Sequence, residues 1–425
     1  MHRMSKKNLD ALLTIGTDGG AIEVRRKRDK HPTGWQPGID TERGFIVTQP
    51  LAEAPSNWDA VLTELLPEGF DVSQWQVDGD NVEVRAWDGN IGAGEIKRFY
   101  YFKARIRRRS LDTDQDIDLE KLIASVKKTK VKTPKVTDEE RAYWVHITDL
   151  QAGQADGDSW EGMVGRALAI ASIVKDDIAM LAKAGKPVSH IFIPITGDLV
   201  EGTGDNWYAM QNFSIRLDRR DQVKLVRRLL TEILKDLAAL GIPMHVAAVP
   251  GNHGENRNSG KAFTTLNDND DVAIVEQIAE AFSMADQLSH VTFSLPKRDR
   301  LSLTVEVLGH VVGLTHGHLA RSTGSVSAKF LSWFKSMAAS RDPIGDSDLL
   351  FCGHYHTYIA QNLVGDTYML MGGALCDSPD TGWFAQSAGL VSDPCISKGT
   401  ITRNQKIELL LPYFWKRTKA EAVEI

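Results

Sequence analysis

The run "HIFIPITGD" (190–198) decides how the rest of the chain is read. It is a short, continuous apolar stretch closed by Gly197 and Asp198, the pattern of a buried strand that ends in a carboxylate. Upstream lies "SWEGMVGRALAIASIVKDDIAMLAKAG" (159–185), a long helical stretch closed by Gly185. Downstream, "DRRDQVKLVRRLLTEILKDLAALG" (218–241) repeats the scheme, with apolar residues at helical spacing and Gly241 as the stop. It leads into another strand, "MHVAAVPGNHG" (244–254). The run "YWVHITDL" (143–150) is again a strand closed by a carboxylate, and "LTVEVLGHVVGLTHGH" (303–318) and "DLLFCGH" (348–354) are strands that end in polar residues. Strand alternating with helix predicts an α/β fold, with a largely parallel sheet covered by helices. No solenoid-type repeat or low-complexity tract interrupts the pattern.

The bulk numbers fit that reading. A chain of 425 residues favours two or three domains, and 42% hydrophobic with 25% charged residues is ordinary for a globular protein. The formal charge of −6 excludes a chain that is basic overall, so any nucleic-acid contact must come from a local patch. Cys352, Cys376 and Cys395 are odd in number, form no C-x-x-C pair and suit a reducing compartment; a cysteine-rich zinc module is not expected. The apolar run Ala11–Ile15 is too short for a signal-peptide core, and nothing later approaches a membrane-spanning length. The expectation is a soluble, cytoplasmic chain with no membrane partner.

The first 110 residues have a different texture. Trp35, Trp58, Trp75 and Trp87, frequent turn signals and short alternating segments predict a small β-rich or α+β accessory domain over 1–110. A helix is expected within "DIDLEKLIASVKK" (116–128), followed by the lysine-rich, proline-containing "TKVKTPKVTDEE" (129–140), so 111–140 reads as helix and linker and 141–425 as the main domain.

In α/β folds the loops after strand carboxyl ends make the functional rim. Here five strand-like runs end in clusters able to bind metal: "TDLQ" (148–151), "GDLVE" (197–201), "PGNHGE" (250–255), "THGH" (315–318) and "GHYH" (353–356). Each has an ordinary alternative. Asp149 could cap a helix, "GDLVE" could be a turn, His316 could be a core histidine, and His354 and His356 could be structural. "GNHGE" is harder to explain away, because asparagine and histidine side by side after Gly251 serve no apolar purpose. Five ordinary readings holding together, in order, is an improbable coincidence.

The ordered set resembles the calcineurin-like metallophosphoesterase family, whose pattern runs D-x-H, G-D-x-x-D/E, G-N-H-E/D, a histidine often in H-G-H, then G-H-x-H. The resemblance covers roughly 143–378, and within the family the texture is closer to nuclease-like, phage-borne members. It implies a metallophosphoesterase-type α/β fold of central β-sheets flanked by helices. It also implies two divalent ions and a metal-activated hydroxide attacking phosphorus. One ion would take Asp149, Gln151, Asp198 and His356, and the other Asp198, Asn252, His316 and His354. His253 would be catalytic, protonating the leaving oxygen or stabilising the transition state. Glu201 and His318 would support or face substrate around those ligands. The departure is Gln151, where the family has histidine. A neutral oxygen donor is weaker than imidazole for Zn²⁺ and more compatible with Mn²⁺ or Mg²⁺, which tilts the expectation to Mn²⁺, with Mg²⁺, Zn²⁺ or Fe as alternatives. Gln151 could ligate through oxygen, hold a metal-bound water, or leave that site weak.

The substrate is argued from "IKRFYYFKARIRRR" (96–109), which interleaves seven basic residues (Lys97, Arg98, Lys103, Arg105, Arg107, Arg108, Arg109) with four aromatics and no acid. Basic groups meet phosphates while rings stack bases. The plain alternative is a solvated strand with a cationic face. A second basic run, "EVRRKRDK" (23–30), lies in the same accessory domain. The expectation is a DNA nuclease with DNA as partner. The alternatives are a phosphodiesterase or phosphatase acting on a small nucleotide or phosphoprotein, and a non-catalytic binding member in which Gln151 spoils the chemistry. A homodimer or a partner ATPase is left open by the sequence. The segment 256–271 reads as a loop or lid over the site, and Asp205, Asn206 and Trp207 read as loop structure that could also shape a substrate pocket.

Overall fold

The computed structural model describes residues 38–40, 45–47, 51, 58, 61–62, 75–92, 95–108, 119–133, 139–154, 158–202, 215–258, 261–262, 264–377 and 392–416. The chain divides into two compact units, 1–111 and 112–425.

In the first unit, β1 (Gly38–Asp40), β2 (Phe45–Val47), β3 (Trp75–Gly92) and β4 (Glu95–Arg108) form an antiparallel sheet in the order β1-β2-β4-β3. The β3–β4 register sets Glu83 opposite Lys103, Arg85 opposite Tyr101 and Trp87 opposite Phe99. Because side chains alternate along a strand, those pairs share one face, and Val84, Phe102 and Ala104 share the other. Ala104 is fully buried there, with Phe102 edge-on to Trp58 and with Val61 and Leu62 buried in the same unit.

The second unit opens with α1 (Leu119–Lys127), whose Leu122 and Val126 lie in the main hydrophobic core. After it, the Lys132 amide donates to the Ala239 carbonyl at 3.0 Å. The helix expected beside a linker is therefore built into the second unit, and the division falls near residue 111.

The helices and strands alternate as α2 (Ser159–Lys183), α3 (Arg219–Ala238) and α4 (Asp270–Ser283) between β5 (Arg141–His146), β6 (His190–Ile195), β7 (Met244–Ala248) and β10 (Val291–Ser294). The short β8 (Arg257–Asn258) and β9 (Lys261–Ala262) pair between β7 and α4. Then follow β11 (Ser302–Val307), β12 (His310–Thr315), α5 (Val326–Ala339), β13 (Leu349–Cys352), β14 (Ile359–Val364), β15 (Thr367–Met371), β16 (Cys395–Thr402), β17 (Gln405–Leu410) and β18 (Tyr413–Phe414). Asp218 caps α3 by accepting from the Asp221 amide at 2.9 Å, Val226, Leu229, Leu230, Ile233, Leu234 and Leu237 bury one face, and Gly241 follows at φ +73°.

The result is the expected α/β fold of central sheets flanked by helices, with two sheets that are each parallel at the centre and carry antiparallel strands. The first runs β10-β7-β6-β5-β16-β17, with β18 also on β16; β10, β7, β6 and β5 are parallel and β16 is antiparallel to β5. The second runs β11-β12-β13-β15-β14, with β12, β13 and β15 parallel. In the second sheet, Leu308 and Gly309 take positive φ, and "LTVEVLGHVVGLT" folds back as an antiparallel hairpin.

Period-two alternation explains the layers. Tyr143, Val145 and Ile191 face a core shared with α1 to α4, while Ala142, Trp144 and Phe192 face Val312, Leu314, Phe351 and Leu370 of the second sheet. Phe351 anchors that interface, 5.1 Å from Trp144 and 6.0 Å from Phe192 between ring centroids. Leu350, Cys352, Met369 and Met371 point the other way, onto Phe330 and Phe334 of α5. Among the described residues, no helix is long and apolar enough to cross a membrane.

Candidate metal centre

Asp149, Asp198 and Asn252 follow β5, β6 and β7, while His316 follows β12 and His354 and His356 follow β13. All leave the carboxyl ends of parallel strands, so stacking the two sheets gathers them at one end. The loops interlock through the backbone: the Asp149 amide donates to the Gly197 carbonyl at 3.1 Å and the Gln151 amide to the Asp198 carbonyl at 2.9 Å.

The backbone is strained where these ligand-type residues sit. Asp149 (φ +50°), Gln151 (+42°), Asp198 (+51°), His354 (+74°) and His356 (+50°) all occupy the left-handed region that L-residues avoid. Glycines permit the close approach: a Cβ on Gly251 would strike Asp198, and one on Gly353 would strike Thr148 and the Asp149 carboxylate.

One group comprises Asp198, His316 and His354, each offering an atom within 4.8 Å of the others. Asp198 Oδ2 and His316 Nε2 are buried 2.8 Å apart as each other's ion-pair partner, and Asn252 Oδ1 is buried without a hydrogen-bond partner. His316 Nδ1 donates to the Thr196 carbonyl at 2.7 Å, which turns Nε2 toward Asp198. Burial works to lower the His316 pKa, but the Asp198 carboxylate outweighs it and the value rises to about 9. Burial would likewise lift the Asp198 carboxyl, yet His316 and His253 hold it well below the ordinary range. Buried, convergent donors are what a divalent cation requires, so this set fits a metal ion.

The second group surrounds Asp149. Its Oδ2 accepts from Thr148 Oγ1 at 2.6 Å and from the His354 amide at 3.1 Å, and its Oδ1 lies 3.4 Å from His356 Nε2. Gln151 Nε2 is 3.0 Å from the same His356 nitrogen. His354 and His356, one residue apart, thus face different groups.

His253 lies beside both. Its Nδ1 donates to the Glu201 carbonyl at 2.9 Å, leaving Nε2 3.8 Å from Asp198 Oδ2, and its amide donates to Asp198 Oδ1 at 2.9 Å. Burial lowers the His253 pKa, but Asp198 and Glu201 outweigh it and the value is raised. Glu201 is buried with its carboxylate 3.6 Å from His253 Nδ1. His318 is half-buried with its ring 5.6 Å from that of His316, and its Nδ1 is buried without a hydrogen-bond partner.

The accessory residues lie in the first unit. Lys97, Arg98 and Lys103 are on β4; Arg98 lies 3.6 Å from Asp88 and Lys103 3.9 Å from Glu83, so acids on β3 offset part of the basic run. Arg105, Arg107 and Arg108 are on β4 by backbone alone. Arg109, the run 23–30, Asp205, Asn206 and Trp207 lie outside the described residues.

Sequence reading missed several residues. Asp271 is buried and accepts three backbone amides, from Asp198 at 2.9 Å, Leu199 at 3.0 Å and Gly251 at 3.0 Å. Asn269 holds the Gly251 carbonyl at 2.7 Å and caps α4. The segment 256–271, expected as a loop over the site, therefore ends in residues that brace the site from beneath. The signal was present in "NDNDD": an asparagine before acids at a helix start. Thr148, Thr196 and Cys376 carried no such signal.

No protein-family model matches the sequence, and a search of curated proteins returns no match. Among solved structures, Vacuolar Protein Sorting 29 from Cryptosporidium parvum shares 13% identity over 62% of this chain and 86% of its own, with a TM-score of 0.27. Wild-type Vps29 complexed with Zn²⁺ from Entamoeba histolytica shares 12% over 65% and 98%, with a TM-score of 0.26. A dimetal phosphatase from Danio rerio shares 11% over 64% and 99%, with a TM-score of 0.28. These are distant likenesses and say nothing of this chain's activity. The α/β fold, two stacked sheets flanked by helices, is established by the chain's own topology.

Proposed function

We propose that this chain is a dinuclear-metal-dependent phosphoesterase that hydrolyses phosphodiester bonds, with DNA as its substrate. The observation that carries the reading is the convergence of Asp198, His316 and His354, with Asp198 Oδ2 and His316 Nε2 buried against each other and Asn252 Oδ1 buried without a hydrogen-bond partner. Leaving such an atom unsatisfied costs about 1–3 kcal/mol, a cost that metal ligation removes. Asp149, Gln151, Asp198 and His356 would hold one ion, and Asp198, Asn252, His316 and His354 the other. Bound divalent ions supply Lewis-acid polarisation of phosphoryl oxygens and an activated water.

The chain's own groups supply orientation and proton handling. Thr196 fixes the His316 tautomer, Thr148 and the His354 amide aim Asp149, and Asp271 holds the loops that carry Asp198 and Asn252. His253, anchored through Nδ1 on Glu201, keeps Nε2 toward the Asp198 side, where it can pass a proton to a leaving oxygen. DNA as substrate is favoured by the β4 face on which Lys97, Phe99, Tyr101 and Lys103 alternate, flanked by Arg85 and Trp87. A non-catalytic binding role is the second reading, favoured by the Gln151 amide nitrogen lying against His356 Nε2.

The test is turnover of a phosphodiester reporter and of labelled single- and double-stranded DNA with Mn²⁺, Mg²⁺ or Zn²⁺. Cleavage of both, lost in His253→Ala, is the expected result. Reporter cleavage without DNA cleavage points to a small nucleotide or phosphoprotein. No turnover in folded protein with any ion leaves the binding role.

A further inference from the structure

Cys376 is a buried thiol that the proposed chemistry does not use, and it touches the Asp149 group at three points. Its amide donates to the Asp149 carbonyl at 3.2 Å, its Sγ lies 3.3 Å from Gln151 Oε1, and the same Sγ lies 3.9 Å from His356 Nδ1. Cys376, Gln151 and His356 are 4%, 3% and 6% exposed, so water does not compete for these contacts. The segment is fixed from behind, because Arg166 Nε donates to the Leu375 carbonyl at 2.7 Å.

The three side chains close a ring of donors and acceptors. Gln151 Nε2 donates to His356 Nε2, His356 Nδ1–H points to the sulfur, and the thiol S–H points to Gln151 Oε1. Each of the three contacts then pairs one donor with one acceptor. The ring favours the Nδ1–H tautomer of His356, so the Nε2 lone pair that the Gln151 amide occupies is the one a cation would take once that amide turns. A thiol both donates and accepts. If the Gln151 amide turns over to aim Oε1 at a cation, its N–H group then meets the same sulfur.

We infer that Cys376 is a positioning residue, the hydrogen-bond partner through which a glutamine at position 151 serves the first metal site. The inference rests on the metal-centre reading proposed above. It predicts that the need for the thiol is tied to the glutamine, since an imidazole at 151 has no amide to steer.

The experiment measures Mn²⁺ binding by titration calorimetry for wild type, Cys376→Ala, Cys376→Ser, Gln151→His and the Gln151→His/Cys376→Ala double variant. In parallel, ¹⁵N chemical shifts report the His356 tautomer in metal-free protein. Cys376→Ala should weaken one of the two Mn²⁺ sites by about 10- to 100-fold while leaving the other unchanged, and serine should restore part of the loss. In the Gln151→His background, the alanine substitution should change little. Metal-free wild type should show His356 protonated on Nδ1, and Cys376→Ala should mix the tautomers. Equal weakening in both backgrounds, or unchanged Mn²⁺ affinity and tautomer in Cys376→Ala, overturns the inference. If wild type takes up no Mn²⁺, the metal-centre reading fails instead, and the tautomer measurement still decides the role of Cys376.

Discussion

Replacing Asp271 tests whether the site is held from beneath as described. Its carboxylate accepts the amides of Asp198, Leu199 and Gly251, joining the loop after β6 to the loop after β7. Alanine at 271 orphans three buried amides at about 1–3 kcal/mol each. Two effects offset part of that loss. Water can enter the space, and repulsion from Asp198, which together with burial pushes the Asp271 carboxyl up to about 7, disappears. A net loss of about 3–5 kcal/mol is expected, a large share of a typical domain's stability. Asparagine can keep Oδ1 toward Asp198 and Gly251 but sets an N–H group against the Leu199 amide, so about 1–3 kcal/mol is expected. The assay is urea unfolding with chelator at pH ~8, above the Asp271 value of about 7, comparing midpoints at constant slope. Repeating it with Mn²⁺ adds a second reading, because slackened loops carry Asp198 and Asn252 and should reduce the metal-induced gain. An alanine variant within ~0.5 kcal/mol of wild type, with the same Mn²⁺ increment, would refute the bracing role.

Divalent ions should raise the melting temperature of wild type, worth about 2.7 kcal/mol at a hundredfold excess over Kd. Asp198→Asn should abolish most of that gain, as followed by scanning calorimetry; a retained gain would place the ion elsewhere. Gly353→Ala drives a Cβ into Thr148 and Asp149, so one Mn²⁺ site should be lost in titrations while α-helix content by circular dichroism stays constant. His146 is fully buried, and burial lowers its pKa from 6.5 to about 3. Between those values the unfolded chain binds a proton that the folded chain does not, so stability should fall as the pH drops from 6.5 toward 3 by up to about 1.4 kcal/mol per pH unit. His146→Gln should remove about one proton from that slope in urea titrations across pH, and an unchanged slope counts against the assignment. For the first unit, Lys97→Glu with Lys103→Glu should weaken DNA binding and reduce its salt slope by about one per lost phosphate contact; an unchanged slope removes β4 from the interface.

Much of the site was legible because its parts are local. A buried strand ending in a polar cluster is a pattern of consecutive residues, and "TDLQ", "GDLVE", "GNHG", "THGH" and "GHYH" each announce themselves within a few positions. The helices at 159–183 and 219–238 were equally plain, because apolar spacing and closing glycines act within one chain segment. The β11–β12 hairpin was less so. It hinges on Leu308 and Gly309 turning the chain back, and "LTVEVLGHVVGLT" offers no strong turn pair to announce it.

The sequence by itself determined which residue types stand at the strand ends and in what order. Only the tertiary structure decided which of them meet. Asp271 braces Asp198 across 73 positions, Thr196 aims His316 across 120, and Cys376 reaches Gln151 across 225. No spacing rule reaches so far, because helical and strand periods correlate only near neighbours. The stacking of the sheet that holds β5, β6 and β7 on β12 and β13 likewise sets one imidazole, His354, toward Asp198 and the next, His356, toward Asp149. The physical reason is that a ligand needs convergent lone pairs within a few ångströms. Convergence is a property of packed strand ends, whereas the order of residues fixes only what each strand end carries.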